Sequence, residues 1–506
     1  MRKIRFLLFA LLALLYVTNV SALTVGNQFT RDGITYQVTL MRPAGNGHTE
    51  LNEVAVVSST KSGTLTIPAS VMDDNNQYNC QVTAIASAGS YADVTAVVLP
   101  NSIKTINTNA FSNSKITTIN IPAGTDDIKD GAFAQIKGLT AITVDGGNTK
   151  YSAVDGVLYE NNGGNKYLKA YPVAKAGTDF TVPNGTYGVS TNAFQLAQNL
   201  TTITLPASIQ DLPTSAESNG FTSAANLTAI KVDAGNANFK DEDGVVLTQD
   251  GKTLVAYPFA RRGVPDPNYN GPLATMHAGE VYTIPNSVET IAKGAFAQVQ
   301  HITAVKLNNV KKISEGAFYS VRNLRNVELG ASVETIEDGA ITGSPDFTRF
   351  AVDSNNPNYT ADAEGIIYTK NKEELVLYPS GRAGEYSTLP TTKKIRRRAF
   401  YYAQKVTKVN FNSALENIDN DAFQVTTALN EITFAAPSNL TRIGTWVFYM
   451  SGLTKLELPA SLKEIGSTAF SKNNNLKTVT VAANSQLESI GTYAFSDNSN
   501  LESFTF

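Results

Sequence analysis

The chain has 506 residues, 41 of them Lys or Arg against 44 Asp or Glu, for a formal charge of −3 with only 17% of residues charged. That balance excludes the concentrated positive field a nucleic-acid partner needs. The single cysteine, Cys80, excludes an intramolecular disulfide, so stability must come from packing. Cys80 lies in YNCQVTAI and reads as a small buried thiol rather than a nucleophile.

The first element is MRKIRFLLFALLALLYVTNVSA, residues 1–22. Arg2, Lys3 and Arg5 form a basic start, Phe6 to Val17 an apolar core, and Val20, Ser21 and Ala22 a small-residue cleavage site. A secretory signal peptide is expected, because a membrane anchor needs about 20 apolar residues. No cysteine follows that would take a lipid, and no second long apolar run occurs, so the mature chain is expected to be secreted or held at the cell surface. Residues 23–90 contain FTRDGITYQV, NEVAVVSS, GTLTIPASV and YNCQVTAI, a run of short strands and turns. They predict an N-terminal β cap that covers the open end of a repeat array.

From residue 91 the chain repeats. Ala-Phe or an equivalent recurs at Phe111, Phe133, Phe194, Phe221, Phe296, Phe318, Ile341, Phe400, Phe423, Phe448, Phe470 and Phe495, and the steps from Phe111 to Phe133, from Phe296 to Ile341 and from Phe400 to Phe495 are each 22 to 25 residues. That period belongs to repeats in which each coil contributes one strand and a short return segment. After Leu476 the alternation of Val479 and Val481 with polar residues predicts a strand with one face inward. LTTITLP, LRNVELG and LTKLELP repeat the pattern, and Pro206 and Pro459 end their strands because proline cannot donate the next ladder bond. One coil buries about six apolar side chains at ~1.5–3 kcal/mol each. Ordering its twenty-odd residues costs ~1–2 kcal/mol apiece, so a single coil cannot stand alone and stacking must supply the rest.

Three longer gaps carry a shared insert, near residues 148–172, 236–258 and 356–379: an Asn, an aromatic, an acidic-Gly step, a strand, a polar turn, then a strand ending in Tyr-Pro. The turns at Gly163-Gly164, Asp250-Gly251 and Asn371-Lys372 predict β-hairpins. Bracing of the array is the favoured role, with ligand contact the alternative. The last residues, Leu501 to Phe506, fall inside a strand, so an exposed edge there is expected to invite self-association.

The pattern LPxSLxxIxxxAFxxxxxLxxVxL, with Tyr-Pro inserts and a DGITYxV opening, resembles the BspA-like leucine-rich-repeat proteins exported by host-associated bacteria. The resemblance covers nearly all of the chain after residue 22. It implies a right-handed leucine-rich-repeat solenoid with a parallel β-sheet on one face and short helical or irregular return segments. It also implies a surface or secreted binding protein, including adhesins for host matrix components and other bacteria. The cysteine that the family often carries three positions after the Phe is absent, those positions holding Ile136, Ala197, Val299, Val321, Ala403, Thr426, Asn473 and Asn498.

Signals for catalysis are missing. His48, His277 and His301 are far apart, and no phosphate loop, dinucleotide fingerprint or nucleophile elbow occurs. No enzyme activity and no metal or other cofactor is therefore expected. Two binding surfaces remain. In KKIRRRAFYYAQKVTKV, Arg396, Arg397, Arg398, Lys405 and Lys408 with Tyr401 and Tyr402 suggest a site for an acidic glycan or acidic protein, although charge runs usually just face solvent. The outward face of the strands, with Asn326, Lys408, Glu431, Lys455 and Glu457, offers a mixed-charge ladder of the kind solenoids use to bind macromolecules. The reading is a non-enzymatic adhesin for host or bacterial surface proteins. The alternative is a carbohydrate-binding or glycan-processing surface component.

Overall fold

The computed structural model describes residues 23–42, 51–75, 77–263 and 281–506. The expected signal peptide, His48 and His277 lie outside the described residues. The chain divides into two compact units, residues 1–176 and 177–506.

In the first unit, Gln28–Arg31 and Ile34–Arg42 form an antiparallel hairpin that continues onto Leu51–Ser59. Its turn, Asp32-Gly33, has φ of 50° and 72°, the left-handed pair a two-residue hairpin requires. Leu51–Ser59 then pairs in parallel with Asn79–Ile85, which leads to Thr105–Ile106 and Asp127–Ile128. A separate parallel pair joins Gly63–Thr66 to Val94–Val98. Coiling thus begins ahead of the boundary at residue 90 read from the sequence. The early coil is disguised because Tyr91, without the Ala partner, takes the ring position, buried with its centroid 5.0 Å from that of Phe111. Cys80 is fully buried.

The second unit is built from coils joined by parallel ladders. One ladder holds the main strands, for example Gly384–Ser387, Val406–Phe411 and Glu431–Phe434. A second ladder, legible in the sequence only as the start of the return leg, links Glu374–Leu377, Lys394–Ile395, Asn417–Ile418, Arg442–Ile443, Glu464–Ile465 and Ser489–Ile490. The Ala-Phe turns are joined too. The Phe400 N–H donates to Ala422 O at 2.7 Å and the Phe423 N–H to Val447 O at 2.9 Å. Among the described residues the return segments are turns and these short strands, with no helix. The irregular alternative is therefore the one realised.

Inside, the repeated rings stack. Phe400, Phe423, Phe448, Phe470 and Phe495 follow one another with centroids 4.3, 5.1, 5.2 and 5.2 Å apart. The Tyr-Pro tyrosines extend the same stack, Tyr257 lying 4.9 Å from Phe296 and Tyr378 4.2 Å from Phe400.

Each insert is a three-stranded antiparallel meander, one strand more than the expected hairpin: Tyr151–Val154, Val157–Asn162 and Asn165–Ala170 in the first unit. In the second unit the counterparts are Phe239–Glu242, Val245–Thr248 and Thr253–Ala256, then Tyr359–Ala361, Ile367–Thr369 and Glu374–Leu377. The opening Asn anchors the meander to the preceding coil. Asn236 Nδ2 donates to Pro206 O and Ile209 O at 3.0 and 2.9 Å, and Asn356 Nδ2 to Gly330 O and Val333 O at 3.0 and 3.1 Å. Both Asn side chains are buried, which fits the bracing role.

Candidate macromolecule-binding surface

The candidate residues fall on two different ladders of the second unit. Lys408 and Glu431 face outward from the main sheet in direct register, Nζ to Oε1 3.2 Å. Beside them Thr433 donates to Asn410 Oδ1 at 2.6 Å and Asn410 to Ser387 Oγ at 3.1 Å, a polar row running across three strands. Lys455 and Glu457 lie on the next strand, 3.4 Å apart, with side chains 55% and 73% exposed. Asn326, expected on this outward face, is instead buried at 1% exposure. It opens its strand between Ala304 and Arg349, and alternation resumes only with the half-buried Glu328.

The sheet is interrupted between Glu431–Phe434 and Lys455–Leu458, which share no ladder. The interruption coincides with a long step from Phe423 to Phe448, which puts the extra residues Ala435 to Asn439 on an exposed loop. Pro437 within that loop has no N–H to give to a strand. One contact persists at the start, where the Thr454 N–H donates to Asn430 O at 3.1 Å. Beyond it opens a cleft of about 450 Å³, lined by Phe434, Pro437, Leu458 and Pro459 with Lys455 and Glu457 at its side. Phe434 is half-buried, as are Val144, Val232 and Val352 at the same strand position just ahead of the inserts, whereas Leu329, Phe411 and Leu458 are buried; of the four half-buried residues only Phe434 is a ring. A core ring is thus uncovered on an otherwise polar face, a signal the sequence carries only in its longer step.

Apart from Lys408, the basic run lies away from this sheet, and its arginines are matched by carboxylates. Arg396 Nε meets Glu374 Oε2 at 2.7 Å, Arg397 Nε meets Asp421 Oδ2 at 3.2 Å, and Arg398 reaches Glu315 at 2.7 Å. Lys393 and Lys394 pair with Glu373 and Asp419 at 2.6 and 3.0 Å. Lys405 donates to Pro345 O at 2.7 Å. An acidic glycan binding here would have to compete with these partners. The run borders a polar recess of about 570 Å³ that also holds Asp338. Burial pushes the Asp338 carboxyl above its ordinary pKa, opposed by Arg396 and Arg397. Tyr401 and Tyr402 sit on the Ala-Phe turn, their rings 4.7 Å apart. Sequence reasoning passed over Trp446 and Met450 on the same side, 37% and 40% exposed. Among the described residues no group of three or more His, Cys, Asp or Glu is placed to hold a metal ion.

Stacked coils of this period, with one main strand and, in most of them, a buried leucine and a ring at the turn, define a leucine-rich-repeat solenoid. The chain belongs to the BspA-type leucine-rich-repeat family, whose repeat region matches residues 57–154, 173–242, 279–363 and 393–506. Among solved structures it is similar to the pneumococcal vaccine antigen PcpA, at 19% identity over 95% of this chain and 87% of that one, with a TM-score of 0.36. A leucine-rich-repeat protein from Eubacterium ventriosum matches at 17% identity over 89% and 99%, TM-score 0.40. A leucine-rich cell surface protein from Faecalibacterium prausnitzii matches at 18% over 83% and 100%, TM-score 0.32. No curated protein matches the sequence. Among the described residues no helix is long and apolar enough to cross a membrane.

Proposed function

We propose that the chain is an exported, non-enzymatic binding protein, a secreted or cell-surface adhesin that engages surface proteins of a host or another bacterium through the main sheet of its second unit. The observation that carries this reading is the cleft at Phe434. It offers an apolar anchor point inside a polar rim, the arrangement in which binding energy concentrates at protein interfaces. The recurring residues of the repeat are core groups, as at Phe423, Ile443 and Leu456, so the repeat presents no recurring reactive group. The preformed sheet loses little ordering entropy when it binds. Lys408, Glu431, Lys455 and Glu457 supply orientation rather than affinity, since exposed ion pairs are worth at most about 1 kcal/mol.

The test is binding of residues 23–506 to a panel of extracellular-matrix proteins and polysaccharides at low and high salt, with Ala435→Phe to fill the cleft. Protein binding that survives salt and falls at least about tenfold in Ala435→Phe, the loss expected of an anchor site, supports the reading. Binding that Ala435→Phe leaves unchanged, or that is confined to acidic polysaccharide at low salt, overturns it.

A further inference from the structure

The Ala-Phe turns form their own face, and the backbone there is unusual. In most coils the residues two before and two after the buried Phe are left-handed: Arg398 and Tyr402 at φ 58° and 59°, Val425 at 61°, Trp446 and Met450 at 61° and 53°. Such a conformation costs a residue with a Cβ roughly 1–2 kcal/mol. In other coils glycine takes the first of these positions, as at Gly294, Gly316 and Gly339 with φ of 63°, 63° and 70°. At Gly316 a covering segment demands it, because a Cβ there would lie 2.0 Å from the Ala216 carbonyl oxygen. In the coils of Phe400 and Phe448 large side chains occupy these strained positions, with Trp446 and Met450 open to solvent. Non-glycine residues are left-handed at these positions in most coils, as at Leu196, Gln298, Lys472 and Tyr493, so the conformation belongs to the repeat; what marks these coils is that Tyr401, Tyr402, Trp446, Tyr449 and Met450 stand close together on it.

The ladder aligns these residues in rows across three coils. The Tyr402 N–H donates to Gln424 O at 3.0 Å and the Val425 N–H to Tyr449 O at 2.9 Å. Tyr401, Gln424 and Tyr449 therefore share one row, and Tyr402, Val425 and Met450 the next. Tyr401 and Tyr402 make one aromatic bank. Trp446 and Tyr449, 4.5 Å apart with rings inclined at 63°, make the other. Two coil steps separate the banks, about 10 Å at the usual strand spacing. Between them lie Asp421, Val425 and Gln424, whose side-chain amide makes no hydrogen bond among the described residues. The charges between the rows are paired, Arg398 with Glu315 and Asp421 with Arg397, while Glu217 near Tyr401 and Lys472 at Tyr449 stand at the rim with opposite signs.

We propose that this three-coil surface is a binding site for a neutral polysaccharide. The C–H faces of pyranose rings stack on Trp446 and Tyr402, and their hydroxyls bond to the Gln424 amide. Rings that present a face supply contact area at little entropic cost, and an uncharged ligand suits a surface whose central charges are paired and whose rim charges, Glu217 and Lys472, are opposite in sign. The site is separate from the main sheet and does not depend on what that sheet binds.

Trp446 is the only tryptophan in the chain, so its emission reports on this site alone. Residues 23–506 are titrated with cellohexaose, xylohexaose, mannohexaose and dextran oligomers, and with fibronectin and gelatin as protein probes. The expected result is a saturable emission change with at least one neutral oligosaccharide. Affinity should fall roughly two- to tenfold in Tyr402→Ala, as loss of an aromatic contact implies, and should also fall in Gln424→Leu. Calorimetry should find weaker binding in Trp446→Ala and recovery in Trp446→Tyr, with Ala435→Phe unaffected. No response to any of the oligosaccharides, a response to the protein probes alone, or full affinity in Trp446→Ala would overturn the proposal.

Discussion

Asn356 offers the strictest test of how the inserts brace the array. Its side chain is fully buried. Nδ2 donates to Gly330 O and Val333 O at 3.0 and 3.1 Å, and Oδ1 accepts from the N–H groups of Asn358 and Tyr359 at 2.9 and 2.8 Å. Asn356→Ala removes all four bonds and strands the amides of Asn358 and Tyr359, while Val333 O keeps the Asn358 side-chain amide at 3.2 Å and Gly330 O the Val333 N–H at 3.4 Å. At about 1 kcal/mol net per bond, with water recovering part of the loss, the cost is about 3–4 kcal/mol. Asn356→Asp keeps the accepted bonds but sets a carboxylate against two carbonyls, and is expected to cost as much. Urea denaturation of residues 23–506 gives the magnitude, and amide exchange gives the location. Each coil of a solenoid touches chiefly its neighbours, so exchange should accelerate at Asn358, Tyr359 and Ile336, whose N–H is bonded to the Tyr359 hydroxyl at 3.1 Å. The amides near Phe448 should keep their protection. A loss under about 1 kcal/mol, the size of a single bond, or uniform acceleration through the second unit, would refute the bracing argument.

Phe423 is fully buried between Phe400 and Phe448, so Phe423→Ala is expected to cost about 3–5 kcal/mol, measured as a shift in urea midpoint. Phe423→Leu should cost less than half of that, since Ile341 already fills the equivalent place in its own coil, and equal losses would contradict the ring-stack account. Asp338 has a carboxyl pKa raised above the ordinary 3.8 by burial. A raised folded-state value means its contribution to stability is fully present below the unfolded pKa and is lost as pH rises through the folded one. Asp338→Asn should therefore be at least as stable as the parent at neutral pH and show a flatter stability profile from about pH 4 upward. A variant markedly weaker at neutral pH would show that Arg396 and Arg397 outweigh burial there.

How legible each feature was depended on whether one coil carried it whole. The buried ring of the Ala-Phe pair, the leucine and the alternating main strand recur inside most periods, and the stack from Phe400 to Phe495 follows from their spacing. The second ladder did not show, because pairs such as Lys394–Ile395 and Arg442–Ile443 are too short to alternate. The first strand of each meander was hidden by its own turn. Asp155-Gly156 and Asp243-Gly244, with φ of 48° and 74° and of 50° and 77°, look like a loop entry but close a hairpin. The cleft at Phe434 was concealed for another reason. A long step marks where a coil gains residues without saying whether the sheet breaks there, and the equally long step from Phe470 to Phe495 leaves Thr478–Val481 and Ser503–Thr505 paired.

The basic run shows why charge in a solenoid must be read down the stack as well as along the chain. A nearly constant period sets each surface side chain beside its counterpart one coil away. Arg396 finds Glu374 at a separation of 22, and Lys311 finds Glu289 at the same separation. Arg398 goes further and meets Glu315, 83 residues back. Five basic residues that look like an anion site in one coil are thus answered by carboxylates supplied from others. Aromatic side chains on the outer face have no such complement to meet. Lys472 lies 5.4 Å from the Tyr449 ring centroid and Arg398 5.3 Å from that of Tyr401, yet Trp446 and Met450 stay open. The array cancels its own charge and leaves its aromatic rows available, so discrimination on that face falls to shape and hydrogen bonding rather than to long-range attraction. Binding there should accordingly be nearly insensitive to salt, in contrast to any ligand that had to displace Glu374, Asp421 or Glu315.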